Sequence, residues 1–365
     1  MERERATATG ETIAPSSKSN VAVTLAVALM VVAGLNVAAL FYLRAFPRNR
    51  TYWLVEQKWR KLETLSEPVD WVFLGDSSGN QGVRSDVWSA ALNGSSANFC
   101  TVADMLALGD AWMLERYVER HGPPKGGAVI VHAYDMWHRP VSDGMRGQLL
   151  ARVPLPWGFW ERLTPPVSLG ARDMVSLLAS KHLPLYSQNT TLANILLGAD
   201  WLHPPHFQLD ASGYMAHPDA NPEAVQKDAE VHLQFVRKHT FKPSAPNLAA
   251  LLRIRELAEK KRFHVYLATS PLFADLAHDL PWRRYFVKVR KQLEQSAAGS
   301  PFLHFVLKIP VTFRADELEN VDHATHESAA AYTQALANSI KAELAARESL
   351  GRRKGAADSA LPLVF

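Results

Sequence analysis

The sequence contains one cysteine, Cys100, in 365 residues. A single thiol excludes an intramolecular disulfide and a cysteine-based metal cluster, and it does not report the redox compartment. The chain has no glycine-rich phosphate loop joining a strand to a helix and no dinucleotide-binding fingerprint. It has no stripe of lysine and arginine interleaved with aromatic residues, and its net charge of +4 is mild. We therefore predict neither a cofactor nor a nucleic-acid partner.

Charge is also absent from a long apolar run near the N-terminus. No charged residue occurs between Lys18 and Arg44, and residues 21–42 are polar only at Thr24 and Asn36. About 20 apolar residues are enough for a helix to cross a bilayer, whereas the apolar part of a cleaved signal peptide has about 7–15. We predict a retained transmembrane anchor rather than a signal peptide.

The chain divides into five predicted segments around this anchor. Residues 1–18 are polar and mixed in charge, which is typical of a disordered tail. The anchor spans residues 19–44, and a connecting helix with aromatic residues among charges follows over residues 45–68. A globular domain spans residues 69–346, and residues 347–365 are predicted to form a loose tail.

Strand-like and helix-like patterns alternate through the domain, which favours an α/β fold with a parallel sheet. The predicted strands are 71–74, 97–101, 128–133, 263–269 and 302–309, and the predicted helices are 83–92, 103–121, 247–261, 281–296 and one within 321–346. Residues 140–243 interrupt this alternation and are rich in Pro, His, Trp and Leu. With helical patches only at Val167–Ser180 and Thr191–Leu197, they are predicted to be an insertion or lid-like segment.

The stretch Trp71–Asn80 contains the first candidate for chemistry. Its apolar start predicts a buried strand, and Gly75, Asp76 and Ser77 predict a tight turn after it. Open α/β sheets place their sites at the carboxyl ends of strands, so this turn would present a serine hydroxyl there. Ser77 is the predicted nucleophile, and Ser78 is the alternative if the turn is shifted by one residue.

A second polar stretch, Asn320–Ala337, lies near the end of the chain and opens the last predicted helix. A serine hydroxyl needs a base within hydrogen-bond reach, and that base needs an orienting group. The neutral imidazole of His323 is suited to accept the serine proton near pH 7. His326 is the rival base, and Asp322 is adjacent in sequence to His323.

The two stretches together resemble the SGNH (GDSL-like) superfamily of hydrolases and acyltransferases. There the serine sits in a Gly-Asp-Ser turn after the first strand, and the histidine lies just before the last helix. In the membrane-anchored, polysaccharide-modifying branch the last block resembles Asp-His-Leu-Asn-x-x-Gly-Ala-x-x-(Tyr/Phe)-Thr-x-x-Leu-Ala. Ser328 replaces the glycine of this block. The ungapped matches are Asp322, His323, Ala329, Tyr332, Thr333, Leu336 and Ala337.

The resemblance implies a flavodoxin-like, three-layer α/β/α domain with a parallel sheet, preceded by one transmembrane helix. It also implies chemistry through an acyl-Ser77 intermediate. An oxyanion hole would use the backbone N–H of Ser77 together with donors in neighbouring blocks. Asn98 and Asn80 are the candidate donors, and Asp76 belongs to the same turn.

The chain departs from the family pattern in two blocks. The family aspartate three residues before the histidine is here Asn320, which accepts a hydrogen bond from a ring N–H but stabilises an imidazolium less than a carboxylate does. Either Asn320 suffices, or Asp322 takes that role, or activity is reduced. In the family block Asn-Leu-Gly-x-x-Gly, Cys100 and Ala103 replace the glycines.

A third-block asparagine is not evident after the strand 128–133, where His132, Asp135 and His138 occur instead. Asp135 with His138 is a weak signal for metal binding, because this spacing alone is common. We predict no metal site.

The leading hypothesis is O-acetyl transfer or ester hydrolysis on an extracytoplasmic polysaccharide. The resemblance alone implies a multi-pass membrane O-acyltransferase as partner. The alternative is a catalytically impaired accessory subunit of a membrane complex that modifies or exports polysaccharide. A third, cytoplasm-facing lipid esterase is favoured only by basic residues after the anchor, since the positive-inside rule keeps the more basic flank in the cytoplasm. The resemblance instead implies an inner-membrane protein with a periplasmic domain.

Overall fold

The computed structural model describes residues 17–46, 52–140, 153, 171–198, 209–217 and 219–359. Most of the predicted tail 1–18 lies outside these residues, as does the end of the predicted loose tail. The predicted insertion 140–243 is described only in part, and its predicted helical patch Val167–Ser180 is described from residue 171 onward.

Helices account for most of the described chain. They are named here α1 (Ser17–Ala45), α2 (Trp53–Thr64), α3 (Ser77–Gly82), α4 (Ser85–Leu92), α5 (Leu106–His121), α6 (Ala171–His182), α7 (Pro184–Ser187), α8 (Asn189–Leu196), α9 (Pro222–Lys238), α10 (Ala245–Lys261), α11 (Ala274–His278), α12 (Leu280–Ala297) and α13 (His326–Ser359). Short 3-10 helices occupy Ala103–Met105, Met136–His138 and Ala315–Glu317.

The first helix, α1, matches the predicted anchor. Its segment Val21–Ala45 has a mean hydropathy of 2.4, and only 6% of its apolar window is buried against the rest of the chain. The helix is therefore long and apolar enough to span a membrane. Asn36 on this helix accepts a hydrogen bond from the backbone N–H of Leu185 at 3.2 Å, so α1 contacts α7.

The centre of the domain is a parallel sheet with strand order β2-β1-β3-β4-β6. A separate pair of short parallel strands, β5 and β7, forms a second sheet. The prediction of an α/β domain with a parallel sheet is thus confirmed. The strands are β1 (Trp71–Gly75), β2 (Ser96–Asn98), β3 (Gly127–His132), β4 (Val265–Thr269), β5 (Leu272–Phe273), β6 (Leu303–Leu307) and β7 (Thr312–Phe313).

The inner strands β1 and β3 are buried at every residue, as parallel strands covered by helices on their faces must be. Trp71 and Phe73 of β1 both pack edge-on against Trp88 of α4, with ring centroids 5.2 and 4.7 Å apart. These aromatic contacts hold α4, the second helix after the predicted serine turn, against the strand that precedes the turn.

The helix α9 was not predicted, because residues 201–222 have weak periodicity and conceal its start. Its beginning nevertheless has a local signal: the side chain of Asn221 accepts from the backbone N–H of Ala224, and Pro222 occupies the first turn. The buried residues Val225 and Ala229 then lie one turn apart on the face that packs on the domain. At the other end of the chain, α13 continues to Ser359, beyond the predicted domain end at 346.

The connecting helix α2 is fastened to the domain by a buried lysine. Lys58 has no exposed surface, and its Nζ donates to Asn80 Oδ1 and to the carbonyl of Gly213, the latter at 2.5 Å. It also donates to the backbone oxygen of Asn98 at 3.0 Å. Burial lowers the pKa of Lys58 to about 7, because the loss of hydration outweighs the opposing charge of Asp210.

We expect Lys58→Met to lower the free energy of unfolding by about 2 kcal/mol, because it leaves buried oxygens without a donor. The difference from wild type should widen from pH 7 to pH 9, since the unfolded lysine binds a proton over this interval and the folded lysine does not. Thermal unfolding of the detergent-solubilised chain measures both effects. Lys260→Met, on the exposed surface of α10, is the control and should change neither.

Candidate active site

A cavity of about 330 Å³ lies at the carboxyl ends of β1, β2 and β3. The connection from β1 leads to β2 on one side, and the connection from β3 leads to β4 on the other, so the adjacent ends of β1 and β3 form the topological switch point of the sheet. The opposite wall comes from α9 and from the loop before α13. The lining residues are Asp76, Ser77, Val102, Ala103, Asp104, Ala133, Arg139, Asp228, His232, Asn320, Asp322 and His323.

The carboxylate of Asp76 holds the turn after β1. Gly75 has a φ of 137°, and a Cβ there would lie 1.9 Å from the carbonyl oxygen of Val131, so only glycine permits this approach to β3. Asp76 then accepts from the backbone N–H of Ala133 at 2.8 Å and from that of Ser78 at 3.0 Å. The first bond joins the ends of two neighbouring strands, and the second caps α3.

The same contacts distinguish the two candidate serines. Ser78 is fully buried, and its hydroxyl donates to Asp76 Oδ1 at 2.5 Å. Ser77 is partly exposed and lines the cavity. The structure thus places the two serines differently: Ser77 lines the cavity, whereas the hydroxyl of Ser78 bonds within the turn.

Behind the turn, a buried histidine lies between two carboxylates. His132 Nδ1 is 3.3 Å from Asp76 Oδ2, and its Nε2 hydrogen bonds to Asp110. Burial alone would lower the pKa of His132, but the two carboxylates outweigh it and raise the pKa to about 9. Burial would raise the pKa of Asp76, yet the hydrogen bonds from His132 and Ser78 hold it well below its usual range. At neutral pH the ring of His132 is therefore an imidazolium held between Asp76 and Asp110.

The ring of His323 is held by both of its candidate orienting groups. Its Nδ1 lies 2.6 Å from Asn320 Oδ1 and 2.6 Å from Asp322 Oδ1. Asn320 Oδ1 also accepts the backbone N–H of His323 at 3.0 Å, which fixes the loop. No group in the described part of the chain hydrogen bonds to Nε2, so Nδ1 carries the orienting contacts and Nε2 is left for chemistry.

The charge around His323 favours its protonated form. Burial lowers the pKa of this imidazole, but the adjacent carboxylate of Asp322 and the nearby Glu319 outweigh burial and raise the pKa to about 9. A general base must be neutral to accept a proton. The capacity of His323 to act as base should therefore increase as the pH rises toward 9.

Two side chains of α9 complete the wall and were not predicted as site residues. His232 Nδ1 is 2.8 Å from the hydroxyl of Tyr134, and Asp228 Oδ2 accepts the backbone N–H of Val321 at 3.3 Å. The second contact ties α9 to the loop that holds His323. The helix-start signal at Asn221 and Pro222 would have placed Asp228 and His232 on one face, four residues apart.

The predicted oxyanion donors lie away from the cavity lining. The amide of Asn98 donates to the carbonyls of Gly79 and Val83, both at 3.2 Å, and its Oδ1 accepts from the backbone N–H of Cys100 at 3.0 Å. Asn80 is fully buried, and its Oδ1 accepts from Lys58. Both asparagines support the turn from beneath.

The remaining histidine and aspartate candidates have other partners. His326 Nδ1 is 3.1 Å from the hydroxyl of Tyr214, and His326 does not line the cavity. Asp135 pairs with Arg139, at 2.7 Å between Oδ2 and Nη2. Within the described ranges no three His, Cys, Asp or Glu side chains are grouped so as to hold a metal ion.

Comparisons of the chain with known proteins give no matching family model and no matching curated protein.

We expect Asp322→Asn to lower the pKa of His323 from about 9, because burial is then opposed only by the more distant charges of Glu319 and Asp76. A pH titration of the labelled histidine ring by NMR, on the detergent-solubilised chain, reads this directly. Asp275→Asn, on an exposed site of α11, is the control and should leave the titration unchanged. A midpoint that stays near 9 in Asp322→Asn would assign the shift to another group.

Proposed function

We propose that this chain is an SGNH-like acyl-ester enzyme on a single membrane anchor, with a flavodoxin-like three-layer domain. The strand order β2-β1-β3-β4-β6, which is that of flavodoxin-like sheets, supports the fold. So does the grouping of the helices, since α5 packs with α10 whereas α13 packs with α3 and α4. The observation that carries the function is that Ser77 and His323 line one cavity although most of the chain separates them.

The proposed reaction starts with Ser77 Oγ attacking the carbonyl carbon of an acyl ester. His323 Nε2 accepts the hydroxyl proton and then returns it to the leaving oxygen, which gives an acyl-Ser77 ester. An acceptor hydroxyl or water next attacks that ester, and the same imidazole takes and returns its proton. In this scheme Asp322 stabilises the imidazolium, and Asn320 fixes the ring and its tautomer.

The oxyanion would be stabilised chiefly by backbone. Ser77 is the first residue of α3, and the first N–H groups of a helix have no intrahelical acceptor. Asn98 and Asn80 are not included, because the amide of Asn98 donates to Gly79 and Val83, and Asn80 is buried and does not line the cavity. A hydroxyl of a sugar is the proposed acceptor, which is consistent with the polar lining of the cavity.

The second candidate is a non-catalytic accessory subunit that keeps the fold. The replacement of both family glycines in the second block favours it, since those glycines give close backbone approach to an acyl group. Cys100 here is fully buried, and a Cβ at Gly79 would lie 2.9 Å from its Sγ, so the thiol packs on α3. This contact has a structural role and leaves the hydroxyl of Ser77 accessible.

A fluorophosphonate probe separates these candidates, because it labels only a serine activated by a base. We expect labelling of the detergent-solubilised wild type and complete loss in Ser77→Ala. Ser78→Ala is the matched control and should keep the label, since Ser78 is buried in the turn. Absence of labelling in the wild type at pH 9, where about half of His323 is neutral, would favour the accessory subunit.

We further propose that α1 crosses the inner membrane with the domain in the periplasm, beside a multi-pass membrane O-acyltransferase. Alkaline phosphatase fused after Phe365 should then be active, and green fluorescent protein at the same position should be dark. The reverse pair of results would place the domain in the cytoplasm, as the basic flank of the anchor favours. The same two reporters fused to the N-terminus are the control and should give the opposite pair of results.

A further inference from the structure

A second cavity, also of about 330 Å³, is named here the basic cavity. It is formed by the end of α9, the segment after it and the first half of α12. Its lining residues are Val236, Arg237, Lys238, His239, Thr240, Phe241, Pro281, Arg284, Tyr285 and Lys288. It takes no part in the chemistry proposed above.

Cationic side chains outnumber carboxylates around the basic cavity. Arg237 is 3.9 Å from Asp279, which is a weak ion pair. In the described part of the chain, Arg284 and Lys288 have no ion pair with a carboxylate, and both are exposed. A helix dipole favours cations at a C-terminus, which accounts for Arg237. It does not account for Arg284 and Lys288, because both lie in the N-terminal half of α12.

The wall between these cations is aromatic and buried. Tyr285 is 3% exposed, and its ring packs edge-on against that of Phe241 at 5.5 Å. The Tyr285 hydroxyl is buried and has no hydrogen-bond partner among the described residues. The accessible lining of the basic cavity is more polar than apolar, and convergent polar groups in a concave site fix the orientation of a ligand. A flat membrane surface fits such a hollow less well than a chain of sugar rings does.

The basic cavity shares α9 with the cavity that Ser77 and His323 line, which is named here the active-site cavity. His232 lines the active-site cavity, and Val236, one turn later, lines the basic cavity. At 1.5 Å per residue their Cα atoms are about 6 Å apart along the helix. Tyr285 also contacts Tyr134 at 5.9 Å between ring centroids, and Tyr134 is the hydrogen-bond partner of His232. The two cavities are thus neighbours across one wall.

We propose that the basic cavity binds an anionic group, carboxylate or phosphate, of the polysaccharide whose hydroxyl reacts at Ser77. This rests on the proposed function and specifies its substrate class as an acidic glycan. Arg284 supplies a planar fork suited to carboxylate or phosphate oxygens, and Lys288 supplies a compact charge one turn away. The ring of Phe241, which is partly exposed and backed by Tyr285, would pack on the sugar.

Binding of labelled oligogalacturonate, of phosphorylated dextran and of neutral dextran to the detergent-solubilised full chain tests this proposal. We expect one or both acidic oligosaccharides to bind, and neutral dextran not to bind. The double variant Arg284→Glu/Lys288→Glu should weaken acidic binding by about tenfold or more, since it removes two charge-assisted contacts. Its matched control, Arg283→Glu/Lys291→Glu, makes the same charge change on exposed residues of α12 outside the cavity.

Equal losses in the two double variants would overturn the proposal, because net charge alone would then explain binding. A second result would also overturn it: the wild type binds phosphatidylglycerol vesicles but no oligosaccharide, and Arg284→Glu/Lys288→Glu abolishes the vesicle binding. The basic cavity would then be a membrane-binding surface. If the glutamate variant melts early, Arg284→Gln/Lys288→Gln serves in its place. Fluorophosphonate labelling of Ser77 should be the same in the wild type and in both double variants. Absence of labelling in the wild type would refute the enzyme function but would not contradict the anion site.

Discussion

The carboxylate of Asp76 is the interaction on which the candidate site depends. It is buried at the end of β1, and it accepts hydrogen bonds from Ala133 at the end of β3 and from Ser78 in α3. A buried carboxylate without such donors would be strongly unfavourable. These groups and His132 occupy both carboxylate oxygens of Asp76 and hold the turn in one conformation, which leaves Ser77 at the cavity.

His132 and His323, whose pKa values are both raised to about 9, illustrate how position decides the role of the same group. His132 is fully buried, and each ring nitrogen has a carboxylate partner, so it has no site for an outside proton donor. His323 has both of its orienting oxygens on Nδ1. The ring of His132 is a fixed cation between Asp76 and Asp110. The other keeps one nitrogen available, and this asymmetry is what base catalysis requires.

The sequence predicted the five strands of the main sheet, their parallel arrangement and the turn at Ser77, because each has a local signal: apolar runs, alternating helices and a Gly-Asp-Ser turn. The short strands β5 and β7 have only two residues each and were not predicted. The contacts of Asn320 and Asp322 with one nitrogen were left open, since a one-residue difference in loop geometry decides them. The helix α9 and the burial of Lys58 were missed. Residues far apart in the chain determine both, as Lys58 contacts Gly213 and Asp228 contacts Val321.

The unpredicted helix also changes how the substrate side of the molecule is understood. Without α9, the site is a serine and a histidine on the rim of a sheet, open on one side. With it, His232 and Asp228 close the active-site cavity, and the same helix ends in the cations of the basic cavity. In the proposed function, a ligand that occupies both cavities would run along α9, so that helix and not Ser77 would set its length and charge. Selectivity among acyl acceptors would then reside in a segment that the family resemblance does not cover.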